Sequence, residues 1–201
     1  MRKDYIVKLA AATAVALMFV ISGCRVRSEM EAADFVFDGW KMMDEQNYRA
    51  AIENFAEGAL LDPEFTDAWN GLGWAYGRLG IADSSILNFT EGVNLEDPTY
   101  QGTEVLAGRS FPYLALGEYN NCITDAKRAL VRSPGWVFSR DPSFTYEHLT
   151  LNIATAFFGL GHFDSSLVWV QRLDHAFHVD VATLPGRSQL AIKLEALIDE
   201  F

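Results

Sequence analysis

The chain has 201 residues, half of them apolar and 13% aromatic, with a formal net charge of −11. That length supplies one substantial core and favours one domain over two. The acidic balance repels nucleic acid and anionic lipid headgroups, and so argues against both as partners.

The first element is a targeting segment. Arg2, Lys3 and Lys8 make the start positive, and Leu9 to Ile21 is apolar apart from Thr13. Crossing a bilayer takes about 20 apolar residues, so this run is too short for a permanent span and reads as a secretory signal peptide. Ile21-Ser22-Gly23-Cys24 follows directly and resembles a bacterial lipobox. The resemblance implies that residues 1–23 are a cleaved lipoprotein signal and that Cys24 becomes the acylated first residue. Residues 24–30 would then be a short lipidated linker and residues 31–201 a helical repeat domain. Two or more acyl chains hold a protein stably on a bilayer, where a single chain does so only marginally. The signal holds three basic residues and one acidic, leaving 13 basic and 26 acidic residues, a net of −13. Arg25 to Met30 reach about 20 Å when extended, which keeps the domain close to the membrane. Arg25 after the lipidated cysteine resembles lipoproteins passed to the outer membrane, which implies a lipid-anchored place on its periplasmic face in the cell envelope. With Cys24 acylated, Cys122 has no disulfide partner, and its position reads as a small core hydrophobe.

From residue 32 onward the sequence repeats. Phe35-x-x-Asp38-Gly39-x-x-Met42 aligns with Trp69-x-x-Leu72-Gly73-x-x-Tyr76 at an offset of 34 residues. Ala51 then matches Ser85, Phe55 matches Phe89, and Gly58 matches Gly92. A third copy runs through Leu106, Ser110, Tyr113, Gly117, Tyr119, Cys122, Ala126, Ala129 and Pro134. A weaker fourth runs through Ile153, Ala154, Phe157, Gly161, Phe163, Ser166 and Leu173. Each copy carries two apolar stripes at helical spacing, broken at places such as Gln46-Asn47 and Gly80-Ile81. Neither helix buries its stripe alone, so the hairpins must stack. Gly73, Ser110 and Ala154 are small where paired helices would cross, and Ala51, Ser85, Cys122 and Ser166 are small on the facing helix. The pattern resembles the tetratricopeptide repeat family over residues 32–176. It implies an all-α fold, an α-solenoid of about four helical hairpins.

Between the third and fourth copies the spacing stretches to 44 residues. The extra segment, Gly135 to Arg140, holds Trp136 and Phe138, and Asp141-Pro142 is predicted to start the next helix as cap and first residue. A loop is expected over residues 178–186. Ser188 then caps a last helix with Leu190, Ile192, Leu194, Leu197 and Ile198 on its apolar side, closing the exposed end of the array.

In this family the first helix of each hairpin lines a concave groove. The resemblance places Val36, Phe37, Trp40, Asn70, Trp74, Arg78, Phe111, Leu114, Leu151, Asn152 and Phe158 there, as a binding groove for a protein or peptide partner. Trp40, Trp74 and Phe111 form an aromatic strip suited to an extended or helical segment. A small molecule or glycan stacking on these rings is the second reading. A competing expectation has the C-terminal helix or the Trp136 segment folding back to fill the groove. The repeats lack the paired Lys and Asn that some members use to clamp a partner's C-terminal carboxylate. No activated nucleophile is visible, and the chain reads as a non-enzyme. No cofactor is implied. Gly71-x-Gly73-x-x-x-Gly77 lies inside a predicted helix with the wrong spacing for a phosphate loop, and His175-x-x-His178 lacks a third fixed metal ligand.

Overall fold

The paired stripes become paired helices. The computed structural model describes residues 31–201; the expected signal segment, the lipobox-like motif with Cys24 and the whole expected linker, residues 24–30, lie outside the described residues. In chain order the helices are α1 (Ala32–Asp44), α2 (Tyr48–Leu61), α3 (Thr66–Arg78), α4 (Ala82–Asn94), α5 (Tyr100–Ala115), α6 (Tyr119–Arg132), α7 (Tyr146–Gly159), α8 (Phe163–Leu173) and α9 (Leu184–Glu200). Each odd helix up to α7 pairs with the one after it, and the hairpins stack so that α1, α3, α5 and α7 lie side by side. The described residues form an all-α solenoid of four hairpins, with α9 laid against α7 and α8.

The repeat pattern has a direct physical basis. Every hairpin reverses through one left-handed residue: Gln46 (φ 57°), Gly80 (72°), Gly117 (73°) and Gly161 (75°). Glycine takes this conformation without strain, which explains three of the four. Phe55, on α2, packs against Gly39 of its own hairpin and Gly71 of the next, and Phe89 on α4 packs in the same way against Gly73 and Gly108. A Cβ on Gly73 would sit 2.5 Å from the Phe89 ring. The Gly71 and Gly73 pair is therefore a packing feature of α3. Across the same crossings, the Ser85 hydroxyl donates to Gly73 O (2.8 Å) and the Ser166 hydroxyl to Ala154 O (2.8 Å). Cys122 is wholly buried, and burial, aided by nearby Asp125, pushes its thiol up to about 12. It stays protonated and acts as core. Beside it, Arg109 bridges Asp125 through Nε (2.6 Å) and a terminal nitrogen (3.1 Å) and also donates to Thr90 Oγ1 (3.0 Å), tying α4, α5 and α6 together.

Two helix starts differ from expectation. Asp141-Pro142 does not open α7. Asp141 instead accepts from Ser143 N (3.2 Å) and its hydroxyl (2.6 Å), closing a local turn, and α7 begins at Tyr146. Thr145 caps it, with Thr145 N donating in return to His148 Nδ1 (3.2 Å), a reciprocal arrangement that satisfies helix-start donors better than Asp141 could from four residues upstream. At the other end α9 starts at Leu184 with Pro185 in the first turn, and its cap is Thr183, five residues before the expected Ser188. Leu190, Leu194 and Leu197 are buried against Leu151, Ala154 and Val170, whereas Ile192 and Ile198 face outward.

Candidate peptide groove

The α6–α7 connection, residues 133–145, lies over the concave face. It doubles back on itself: Val137 and Thr145 form an antiparallel bridge, Phe138 N donates to Phe144 O (2.8 Å), and Tyr146 N donates to Trp136 O (2.6 Å). Its side chains alternate as in a half-buried strand. Trp136 and Phe138 are buried, while Val137 and Ser139 face outward. Phe138 stacks on Trp74 (centroids 4.4 Å apart, 22°) and meets Trp40 edge-on at 6.0 Å. Phe144 packs edge-on against Trp74 and Phe111, at 5.7 Å from each. The strip Trp40–Trp74–Phe111 therefore exists, and the chain's own aromatics cover it.

Polar contacts fix the segment in register. Asp67, on α3 and buried, accepts from Trp40 Nε1 (3.0 Å) and from the Arg140 guanidinium (3.2 Å), which also lies 4.9 Å above the Trp40 ring. Glu104, on α5 and 2% exposed, accepts from Ser139 N (2.8 Å) and Asn70 Nδ2 (3.2 Å). Burial pushes its carboxyl above the usual range, against the opposing effect of the Ser139 hydrogen bonds. The Tyr100 hydroxyl donates to Val137 O and accepts from Val137 N (3.2 Å). At the rim Arg78 pairs with Asp141 at 2.9 Å. Hydrogen bonds to Ser143, with Arg78 adding to them, hold the Asp141 carboxyl below its usual value.

The residues placed in the groove by sequence fall into three groups. Trp40, Asn70, Trp74, Arg78 and Phe111 meet the 133–145 segment or its partners, and Leu114 packs beside them on the same core. Val36 is buried under α2, next to Gly58, and Phe37 is 69% exposed. Leu151 and Phe158 pack in the cluster beneath α9, and Asn152 Nδ2 donates to Ser110 Oγ (3.3 Å) between α5 and α7. Trp40 and Trp74 are only 4% and 6% exposed, so neither offers a ring face for a sugar to stack on. Space remains beside the segment: an apolar cavity of about 260 Å³ lined by Gly73, Gly77, Phe111, Pro112 and Phe144, and a polar one of about 310 Å³ at Tyr48, Arg78 and Arg140. Sequence reasoning missed Asp67, Glu104, Tyr100 and Phe144. Acidic residues inside a helical stripe were the available signal for the first two. Among the described residues no group of three or more His, Cys, Asp and Glu could hold a metal, and no helix is long and apolar enough to cross a membrane.

The geometry has counterparts among solved structures. A tetratricopeptide repeat protein from Parabacteroides merdae superposes with a TM-score of 0.61 at 16% identity, covering 98% of this chain and 74% of that one. The fold is that of tetratricopeptide repeat proteins. TTC0263 from Thermus thermophilus, described as a thermophilic TPR protein, matches at 0.56 and 14% identity over 96% of this chain and 94% of its own. The first TPR of Spaghetti (RPAP3), solved bound to the HSP90 peptide SRMEEVD, matches at 0.56 and 21% identity over 65% of this chain and 96% of that one. No protein-family model and no curated protein matches the sequence.

Proposed function

We propose that this chain is a protein-interaction module, anchored to the bacterial envelope through acylated Cys24, that holds a peptide or partner protein on its concave face. The observation carrying this reading is that the face already accommodates an extended polypeptide. Residues 136–140 lie across α1, α3 and α5 with main-chain groups bonded to Tyr100 and Glu104 and side chains set among aromatic rings. A rigid helical array with such a face loses little entropy on binding, because the surface is already organised. The peptide bound by the RPAP3 domain supports the same use of this fold, although only the fold is common ground at 21% identity. The lipobox-like segment supports the anchor, and Arg25 after Cys24 supports the outer-membrane location.

The test is affinity capture of the lipidated chain from its native membrane after cross-linking. Trp40 and Trp74 are poor sites for the comparison variant, since both are core residues and their removal would loosen the fold. Phe37→Asp changes an exposed position on α1 that the repeat resemblance places in the groove, and it leaves the Arg78–Asp141 pair of the insert untouched. Recovery of one envelope protein with the wild type and its loss with this variant is the expected result. Recovery of the same set by both would remove the interaction reading. Mass spectrometry of the N-terminal peptide, alongside Cys24→Ser, tests the anchor separately: an unacylated Cys24 would end that part of the proposal.

A further inference from the structure

We infer that residues 136–140 occupy the groove as an internal ligand, and that the partner is an extended segment with the same alternation, aromatic–x–aromatic–x–arginine, which enters by displacing them. This rests on the concave face being the binding face, as proposed above, and adds which chemistry it selects.

Three inward positions define that chemistry. Trp136 is fully buried, Phe138 sits between Trp40 and Trp74, and Arg140 reaches Asp67 while lying over the Trp40 ring. The contacts to Val137 and Ser139 are different in kind, because Tyr100 and Glu104 hold their main-chain groups. Any extended peptide offers those groups, so the main chain provides binding and the alternate side chains provide selection. The charge on the groove floor sharpens the choice. Asp67 and Glu104 are buried carboxylates, and each is 4% exposed or less. Asp67, which already pairs with Arg140, favours an arginine and repels an acidic segment, so a peptide resembling SRMEEVD is a poor match here.

Displacement is favoured by what the internal segment leaves unmet. Among the described residues, Trp74 Nε1 and Asn70 Oδ1, both on α3 side chains more than nine-tenths buried, have no protein hydrogen-bond partner, and neither does Trp136 Nε1. A segment that supplies an acceptor to Trp74 or a donor to Asn70 gains over the internal one, since an unpartnered buried polar atom is costly. The outer attachments are weaker. The Arg78 and Asp141 side chains are each more than a third exposed, and exposed ion pairs hold little.

The probe is a fluorescein-labelled synthetic peptide with the sequence of residues 134–142, titrated by anisotropy against the full lipidated chain in detergent. It is compared on the wild type and on the variant Phe138→Ser with Arg140→Ser. An occupied groove reduces apparent affinity by the fraction of time it is open, so the variant should bind about ten times tighter or more. The same peptide with Glu in place of its arginine should lose about tenfold or more. A folded variant that ignores the peptide at about 1 mM, or binds both peptides equally, would overturn the inference. Should the variant fail to fold, hydrogen exchange on the wild type decides. The Ser139 and Tyr146 amides should exchange well before those of α5, and exchange only together with α5 would make the segment permanent core and end the proposal. Capture of an envelope partner with a negative peptide result leaves the module reading intact and removes this one; the reverse pattern separates them the other way.

Discussion

Three connections between hairpins use one turn, and only one of them does something more. Asp62-Pro63-Glu64, Asp97-Pro98-Thr99 and Asp141-Pro142-Ser143 each place an aspartate Oδ1 to accept from the main-chain nitrogen two residues on, at 3.0, 2.7 and 3.2 Å. In the first, α2 ends at Leu61 and the turn follows at once; in the second, α4 ends at Asn94 and the turn follows within three residues. In the third, α6 ends at Arg132 and Ser133 to Arg140 intervene before the turn. The short joints only redirect the chain. The long one keeps the same turn and gains a strand-like stretch, Trp-Val-Phe-Ser-Arg, whose alternating pattern suits the groove. Lengthening a surface connection costs little loop-closure entropy, so the burial of Trp136 and Phe138 outweighs it easily.

The contrast between a fixed array and a displaceable insert can be broken most sharply with two phenylalanines. Phe89 is locked between Gly73 on α3 and Gly108 on α5, two helices of the fixed array. Phe89→Ala should cost about 3–5 kcal/mol. Phe138 sits on a loop that can relax, so Phe138→Ala should fall at or below the lower end of that range. Chemical denaturation of both variants gives the comparison directly. Equal losses would mean that the insert is as rigid as the array, and the distinction would fail. Next in size, Gly73→Leu forces a side chain into the Phe89 ring and should cost about 1–3 kcal/mol or more through overpacking. An unchanged thermal midpoint would show that α3 and α4 do not meet at this glycine in solution.

Much of the array could be read from the residues because its causes are local and periodic. The 34-residue offset puts Phe55 and Phe89 on one helix face and glycines opposite them, and that spacing carries the hairpins with it. The small positions Ala51, Ser85, Cys122 and Ser166 follow from the same logic, and all four are fully buried. The groove was half legible. The strip Trp40–Trp74–Phe111 was visible, and so was a segment able to cover it, yet which of two candidates covers it depends on long-range fit. Asp141 illustrates the difficulty. An Asp-Pro pair ahead of a helical stripe satisfies the rule for a helix start as well as the rule for a joint turn. Only Thr145, with its reciprocal bond to His148, decides between them. Asp67 and Glu104 were hidden for another reason. A carboxylate in a helix is ordinarily solvated, and nothing local announces that Arg140 or Ser139 will arrive from 73 or 35 residues away.

Glu104 gives the smallest effect and a signed test of how the insert is held. Burial raises its carboxyl in the folded chain, so folding favours the protonated form. Stability from this group is fully present below the ordinary carboxylate range and is lost as pH rises through the raised folded value. Glutamine resembles the protonated acid and cannot ionise. Glu104→Gln should therefore match the wild type near pH 4 and become more stable toward pH 7, by on the order of 1 kcal/mol, the scale of one partly compensated buried polar group. Thermal melts across that interval measure the slope. The opposite slope would mean that Ser139 N–H and Arg140 outweigh the burial of the charge. The ionised carboxylate would then be what holds the insert in place, and neutralising it would be the way to release the groove.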